Sequence, residues 1–324
     1  MITLDRSEGV SDRAARQRDR LRAAEREVYE HYGVTVTSQP LHLADPQMAT
    51  RVVRCGSGPP TILFHGANLA GTVWTPLLAH LPGRSLYLVD LPGCGFADPV
   101  DYTGVDLAHH QRRFVGAVLD ALELDHAALV GASLGGAFAL RFALHHPDRV
   151  TALALVSAPA LALPGARVPL SMAILGGGRR ARMTAALMPP PSARTARRLL
   201  ASVGGQDSVR GVPEAMFEAL GAAMALSMPT SATAAAQTFQ WRTPRPHLVF
   251  SDDQLAGCPV PTLFLWGEDD RVQGPQAGAR AAEVLPRGRI EVLPGGHGLW
   301  FEDPRRCGRL LTDFLAEVER ELRT

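Results

Sequence analysis

Several strand-length runs of this 324-residue chain are apolar at nearly every position rather than at alternate ones. Thr61-Ile62-Leu63-Phe64, Leu86-Tyr87-Leu88-Val89, Ala127-Ala128-Leu129-Val130, residues 151–156 and residues 260–266 all read this way. A strand with two apolar faces must be covered on both. That is the mark of a parallel sheet with helices packed against each side. The intervening segments supply those helices. Residues 106–123 carry Leu107, Phe114, Val115, Val118 and Leu122 among polar residues, and residues 276–285 and 304–322 are helical in the same way. The rhythm predicts a mostly parallel, doubly wound α/β sheet. Ahead of it, Leu41-His42-Leu43 and residues 48–54 read as a hairpin, Gly56-Ser57-Gly58-Pro59-Pro60 as a turn, and residues 77–81 as a short helix.

The rhythm breaks at residue 158. Up to residue 257 the chain offers helical patches without strand partners, at 171–175, 181–188, 193–203, 214–228 and 233–241, most of them separated by prolines and glycines. Residues 158–258 are therefore expected to form a helical cap inserted after the sixth strand, with the α/β core in residues 39–157 and 259–324. Cap methionines Met172, Met183, Met188, Met216, Met224 and Met228 could shape an adaptable apolar pocket, although for most of them packing of cap on core is the simpler role. Residues 1–38 form a helical extension. Ala14, Leu21, Ala24, Val28 and Tyr32 lie on one stripe of a helix over residues 11–32, and Gly33 stops it. The stripe suits a helix lying on the core; the other reading is a homodimer contact through this helix or the cap.

A net charge of +1 offers no excess to attract nucleic acid, so the expected partner is a small-molecule substrate. No apolar run is long enough for a membrane span, and the first residues lack the apolar core of a signal peptide. Cys55, Cys94, Cys258 and Cys307 are far apart, with no zinc-type spacing and no disulfide framework. A cytoplasmic protein without metal or cofactor is expected.

Val130-Gly131-Ala132-Ser133-Leu134-Gly135-Gly136 joins an apolar strand to a helical run at the G-x-S-x-G spacing. A serine on so sharp a strand-to-helix turn needs neighbours without a Cβ, and the helix beneath it points unpaired N–H groups at any developing negative charge. A serine hydroxyl needs a base, and the base an orienting acid. His297 is the candidate base. It follows a strand at 289–293 and sits in Gly295-Gly296-His297-Gly298, whereas His109, His110, His145 and His146 fall on helices. The acid should end another strand. Asp269 and Asp270 follow the strand at 260–266, and Asp90 follows an earlier one.

With the order Ser133, Asp270, His297 on alternating strands and helices, the chain resembles the α/β-hydrolase superfamily over about residues 40–320. The likeness is to members with a serine nucleophile and a helical cap. His65-Gly66 resembles the family's oxyanion loop and Asp90-Leu91-Pro92-Gly93-Cys94-Gly95 its D-x-x-G-x-G turn. Gly131 to Gly135 resembles its nucleophile elbow. Gly267-Glu268-Asp269-Asp270 matches its G-x-x-D acid turn, and Gly296-His297 with Glu302 and Pro304 its closing G-H…E-x-P segment. The resemblance implies a triad of Ser133, Asp270 and His297. It also implies an oxyanion hole from the backbone N–H groups of Ala67 (or of Asn68, one residue later) and Leu134, with His65 shaping the loop. Serine at 133 differs from the aspartate of haloalkane dehalogenases and epoxide hydrolases. Members that cleave carbon–carbon bonds usually carry asparagine before the serine and tryptophan after the histidine, where this chain has Ala132 and Gly298. The implied activity is hydrolysis of a carboxylic ester or lactone of a small, largely apolar substrate. Carbon–carbon hydrolysis, a lyase or cyclase, and a small-molecule binder on the same fold are the alternatives.

Overall fold

The structure is a computed structural model that describes residues 6–168 and 190–323. It begins with a long helix, α1 (Arg6–His31), followed by the left-handed Gly33 at φ 62°. Strands β1 (Thr37–Leu43) and β2 (Met48–Cys55) form an antiparallel hairpin. Next come β3 (Pro60–Phe64), α2 (Thr75–Leu78), β4 (Ser85–Val89), α3 (Leu107–Ala121), β5 (Ala127–Ala132), α4 (Leu134–His145) and β6 (Val150–Val156). Helices α5 (Ala193–Gly204) and α6 (Glu214–Thr238) follow, then a tiny hairpin of β7 (Phe239–Gln240) and β8 (Thr243–Pro244), and α7 (Asp252–Ala256). β9 (Thr262–Gly267), α8 (Pro275–Val284), β10 (Gly288–Leu293), α9 (Leu299–Glu302) and α10 (Pro304–Glu321) complete it.

Eight strands form one sheet in the order β1-β2-β4-β3-β5-β6-β9-β10. From β4 to β10 every pairing is parallel, and β2 joins β4 antiparallel. The uniformly apolar strands are buried on two faces as their composition demands. Ile62 and Phe64 of β3 enter the core with Phe114 of α3 and Phe138 of α4, while Leu63 enters the opposite core with Leu311 and Phe314 of α10. The chain passes from β3 out to β4 and returns on the other side of β3 for β5. Open α/β sheets bind ligands outside the carboxyl ends of their strands at such a reversal.

Helix α6 departs from the sequence pattern. Two patches separated near Pro229 are expected, yet one helix runs through the proline. An interior proline costs roughly 3 kcal/mol. What offsets it is packing on both sides of the break. Before it, Ala219, Ala222 and Ala223 lie against Leu21 and Ala24 of α1. After it, the Thr230 hydroxyl accepts from the Val100 N–H at 2.9 Å and the Thr233 hydroxyl from the Tyr102 N–H at 3.0 Å. Met216 is wholly buried in the core with Phe217 and Leu220, so its role is packing rather than lining a pocket. The patches at 171–175 and 181–188, with Met172, Met183 and Met188, lie outside the described residues.

The apolar stripe of α1 is consumed within the chain: Leu21 packs against α6, and Val28 reaches the main core. These contacts fill the role of a helix lying on the core, the first of the two readings of the sequence. A buried ion cluster fixes α1 in place. Arg51 of β2 reaches Glu25 of α1 (Nη2 to Oε1, 2.8 Å) and Asp90 at the end of β4 (Nε to Oδ2, 2.9 Å). Asp90 also accepts from the N–H groups of Gly71 at 2.8 Å and Phe96 at 2.9 Å, and the Thr72 hydroxyl donates to Glu25. Removing one partner of a buried ion cluster leaves uncompensated charge, which costs about 3–5 kcal/mol. Arg51→Met, which strands two buried carboxylates, is expected to lower the unfolding free energy from urea titration by that amount; an unchanged value would show that α1 is held by its apolar contacts alone.

Candidate active site

Strand β5 is buried at every position and stops at Ala132. Ser133 then adopts φ 49° and ψ −116°, which L-residues rarely take up, and α4 begins at the next residue. The turn has no space for side chains on its glycines. A Cβ on Gly131 would lie 2.5 Å from Gly136 Cα, and one on Gly135 would lie 2.3 Å from the Phe64 carbonyl oxygen. The serine backbone is tied at both ends. Its N–H donates to the Val156 carbonyl at 3.3 Å, and its carbonyl accepts from the Gly136 N–H at 3.1 Å. The sharp strand-to-helix turn expected around Ser133 is thus present, at the carboxyl edge of the sheet and beside the loop that follows β3.

That loop, His65 to Asn68, presses against the serine: a Cβ on Gly66 would lie 3.3 Å from Ser133 Cβ. Its shape is fixed from below by His65, which is wholly buried. The His65 Nδ1 lies 2.7 Å from the Gly66 carbonyl, and its Nε2 accepts from the Leu91 N–H at 2.9 Å. One nitrogen donates and the other accepts, so the ring is neutral, and burial pushes its pKa below the usual imidazole value. Ala67 occupies the turn between Gly66 and Asn68, and Asn68 is left-handed at φ 62°. The Ser231 hydroxyl of α6 donates to Asn68 Oδ1, so a helix of the inserted segment touches this loop directly.

On the other side of the serine strand, beyond β6, the ends of β9 and β10 bring two further candidates together. His297 Nδ1 donates to Asp270 Oδ2 at 2.8 Å, with the Asp270 side chain fully buried and that of His297 14% exposed. The other carboxylate oxygen of Asp270 accepts from the N–H groups of Val272 at 2.8 Å and Gln273 at 3.2 Å. Three donors fix the carboxylate, and the Nδ1 bond leaves Nε2 of His297 as the acceptor face of the ring. Asp269, one residue earlier, is exposed, and Asp90 is committed to Arg51 and the turn from β4. Of the three carboxylates weighed from the sequence, Asp270 is the one bonded to His297. Leu134 opens α4 directly after the serine.

A second helix of the inserted segment reaches this half of the site. The Val203 carbonyl, near the end of α5, accepts from the N–H of Arg271 at 3.3 Å and from that of His297 at 3.4 Å. Gly204 lies so close to the histidine loop that a Cβ on Gly296 would sit 2.3 Å from Gly204 Cα. Glu302 of α9 accepts from the Gly296 N–H at 3.0 Å, and burial raises its pKa above the ordinary carboxylate value. A cavity of about 770 Å³ beside these loops has walls that include Asp207, Glu268, Asp269 and Glu302 with Arg271 and Arg306, but not Ser133. Sequence reasoning passed over Val203 and Ser231. A backbone acceptor leaves no trace in composition. Ser231 left one, since Thr230, Ser231 and Thr233 form a polar cluster in an otherwise alanine-rich helix.

Comparison with known proteins agrees with this architecture. The family model described as the alpha/beta hydrolase fold matches residues 59–304. A 2-hydroxy-6-oxo-2,4-heptadienoate hydrolase from Pseudomonas putida is 30% identical over 274 residues, covering 81% of this chain and 90% of its own. A 2-hydroxy-6-oxononadienedioate/2-hydroxy-6-oxononatrienedioate hydrolase from Cupriavidus pinatubonensis is 27% identical over 283 residues, covering 80% and 88%. Among solved structures, the carboxylesterase CesB from Bacillus subtilis superposes with a TM-score of 0.72 at 22% identity, covering 93% of this chain and 98% of its own. A meta-cleavage product hydrolase from Pseudomonas fluorescens gives 0.67 at 23% identity, covering 86% and 97%. The chain belongs to the α/β-hydrolase family and is an enzyme of the hydrolase class.

Proposed function

We propose that the protein hydrolyses a carboxylic ester or lactone of a small, largely apolar substrate through an acyl-enzyme. Ser133 Oγ attacks the carbonyl carbon while His297 Nε2 takes its proton. Asp270 holds the imidazole in the tautomer that leaves Nε2 free and stabilises the imidazolium that forms. The negative charge on the carbonyl oxygen is met by the backbone N–H groups of Ala67 and Leu134. His297 then gives its proton to the leaving oxygen. A water molecule, losing a proton to the same nitrogen, attacks the acyl carbon, and the carbon–Oγ bond breaks to release the acid.

The observation that favours ester over carbon–carbon cleavage is the filling of two positions. Where ring-fission hydrolases of the family usually carry asparagine, this chain has Ala132, wholly buried and without a polar side chain. Where they usually carry tryptophan, it has Gly298, at which even a Cβ would lie 3.2 Å from Phe301 and 3.3 Å from Leu200. Trp300, three residues past the histidine, is buried instead against Trp74 at a ring separation of 4.9 Å, with its Nε1 donating to the Val73 carbonyl. Carbon–carbon hydrolysis is the second reading, because the two curated relatives described above are named for hydrolysis of 2-hydroxy-6-oxo-dienoates. Turnover of a series of p-nitrophenyl esters, set beside that of a 2-hydroxy-6-oxo-dienoate, separates the two readings. A kcat/KM for the dienoate above that for every ester would transfer the assignment to carbon–carbon cleavage.

Removal of the nucleophile by Ser133→Ala is expected to cost on the order of a million-fold in kcat with the melting temperature unchanged. Near-wild-type turnover would exclude the acyl-enzyme. Asp270→Asn should lose roughly four orders of magnitude in kcat, whereas Asp269→Asn keeps most activity. Asp90→Asn is expected to lower the melting temperature more than turnover, and loss of turnover without loss of stability would move the acid to Asp90. The Ser231–Asn68 bond predicts a smaller effect. Ser231→Ala should lower kcat about tenfold at nearly constant KM, the cost of one lost, partly buried hydrogen bond, with Ser231→Thr restoring it. A change confined to KM would make Ser231 a substrate contact instead of a support for the loop.

A further inference from the structure

The sheet of the described residues ends in two edges, β1 and β10. They differ in what they offer to another strand. β1 carries Pro40 in its middle, which has no N–H to donate. β10 contains no proline, and Arg289, Glu291 and Val292 along it are exposed. Val292 and Leu322 are two of the exposed large apolar residues among those described. Leu322 directly follows α10, whose Glu321 is paired with Arg287 just before β10.

The direction of the β10 backbone groups is fixed by the sheet. The Thr262 N–H donates to the Arg287 carbonyl at 3.0 Å, and the Glu268 N–H to the Leu293 carbonyl at 2.9 Å. Strand backbone groups alternate sides, so Arg287, Arg289, Glu291 and Leu293 turn theirs toward β9. Gly288, Ile290 and Val292 turn theirs outward, away from the sheet. We propose that β10 is a homodimer interface, in which β10 of a second copy of this chain pairs antiparallel about a two-fold axis at Ile290 and continues the sheet.

Charge selects that register. An axis at Ile290 sets Arg289 opposite Glu291 of the second copy, and the symmetry repeats the pair. It also sets Gly288 opposite Val292 and Ile290 opposite its own equivalent. The Gly288 N–H is already given to the Leu285 carbonyl at 3.1 Å, so the pairing rests on both Ile290 groups, the Val292 N–H and the Gly288 carbonyl. An axis at Gly288 would set Arg287 against Arg289. An axis at Val292 would set Ile290 against Pro294, which has no N–H. Arg289 is already oriented, since its two terminal nitrogens each bond Glu317 of α10 at 2.6 Å, so little side-chain freedom is lost on association. The same face that repels the wrong registers attracts the right one, as strand pairings with a defined register require.

Native mass spectrometry and sedimentation velocity of the full chain, over a wide micromolar range, test this. The wild type is expected to dimerise. Glu291→Arg and Arg289→Glu each put like charges opposite one another twice and should raise the dimer Kd about tenfold or more. Mixed together, the two variants restore both opposite-charge pairs, so the mixture should form a heterodimer at close to wild-type affinity. A wild-type protein that stays monomeric throughout overturns the proposal. So does a dimer whose Kd neither variant changes, and so does a mixture that associates no better than its components.

Discussion

One buried guanidinium carries much of the architecture around the site. Arg51 stands between a carboxylate from the first helix and one from the end of β4, and the second of these also gathers two backbone N–H groups from the loops at the mouth of the sheet. An ion cluster of this kind adds little net stability compared with apolar packing, but it tolerates only one arrangement of its parts. It sets α1 against β2, the turn after β4 against the loop that follows β3, and thereby the floor on which Gly66 approaches Ser133. Helix α1 in turn packs along α6, so the extension ahead of the core supports the segment inserted far later in the chain.

The inserted helices touch the two halves of the site separately. α6 meets the loop after β3 through Ser231 and Asn68, and α5 meets the histidine loop and the acid turn through the Val203 carbonyl. They pack on one another near the point where Gly221 lies against Ser192 and Ala193. Any shift of one helix relative to the other is therefore felt on both sides of Ser133.

The core of the fold was legible because its signals are local. Uniformly apolar runs of strand length, alternating with helical segments, read as strands covered on both faces, and the glycines two residues either side of Ser133 fix a turn that leaves no space for a Cβ at either of them. The Asp270–His297 bond was within reach for the same reason, since both residues follow strand ends, Asp270 three residues after Gly267 and His297 between two glycines. Pro229 misled because the helix through it is held by α1 and by the Val100 and Tyr102 amides, which lie more than a hundred residues away in the chain. The stripe on α1 showed that something covers it, but periodicity cannot tell a neighbour in the same chain from a second copy. The Val203 contact is main chain to main chain and leaves no mark on residue type at all.

That last contact bears on how such enzymes can be recombined. The Val203 carbonyl is the shared acceptor of two N–H groups, one beside the acid and one on the histidine. A chimera that exchanged the inserted helices for those of a relative would replace substrate-facing residues and remove this acceptor in the same cut. Crossover points placed after Gly204 would keep the acceptor with its loops and exchange only what lies beyond it. For this chain, the modular boundary for engineering lies inside the inserted segment, at the end of α5, rather than at the change in sequence rhythm at residue 158.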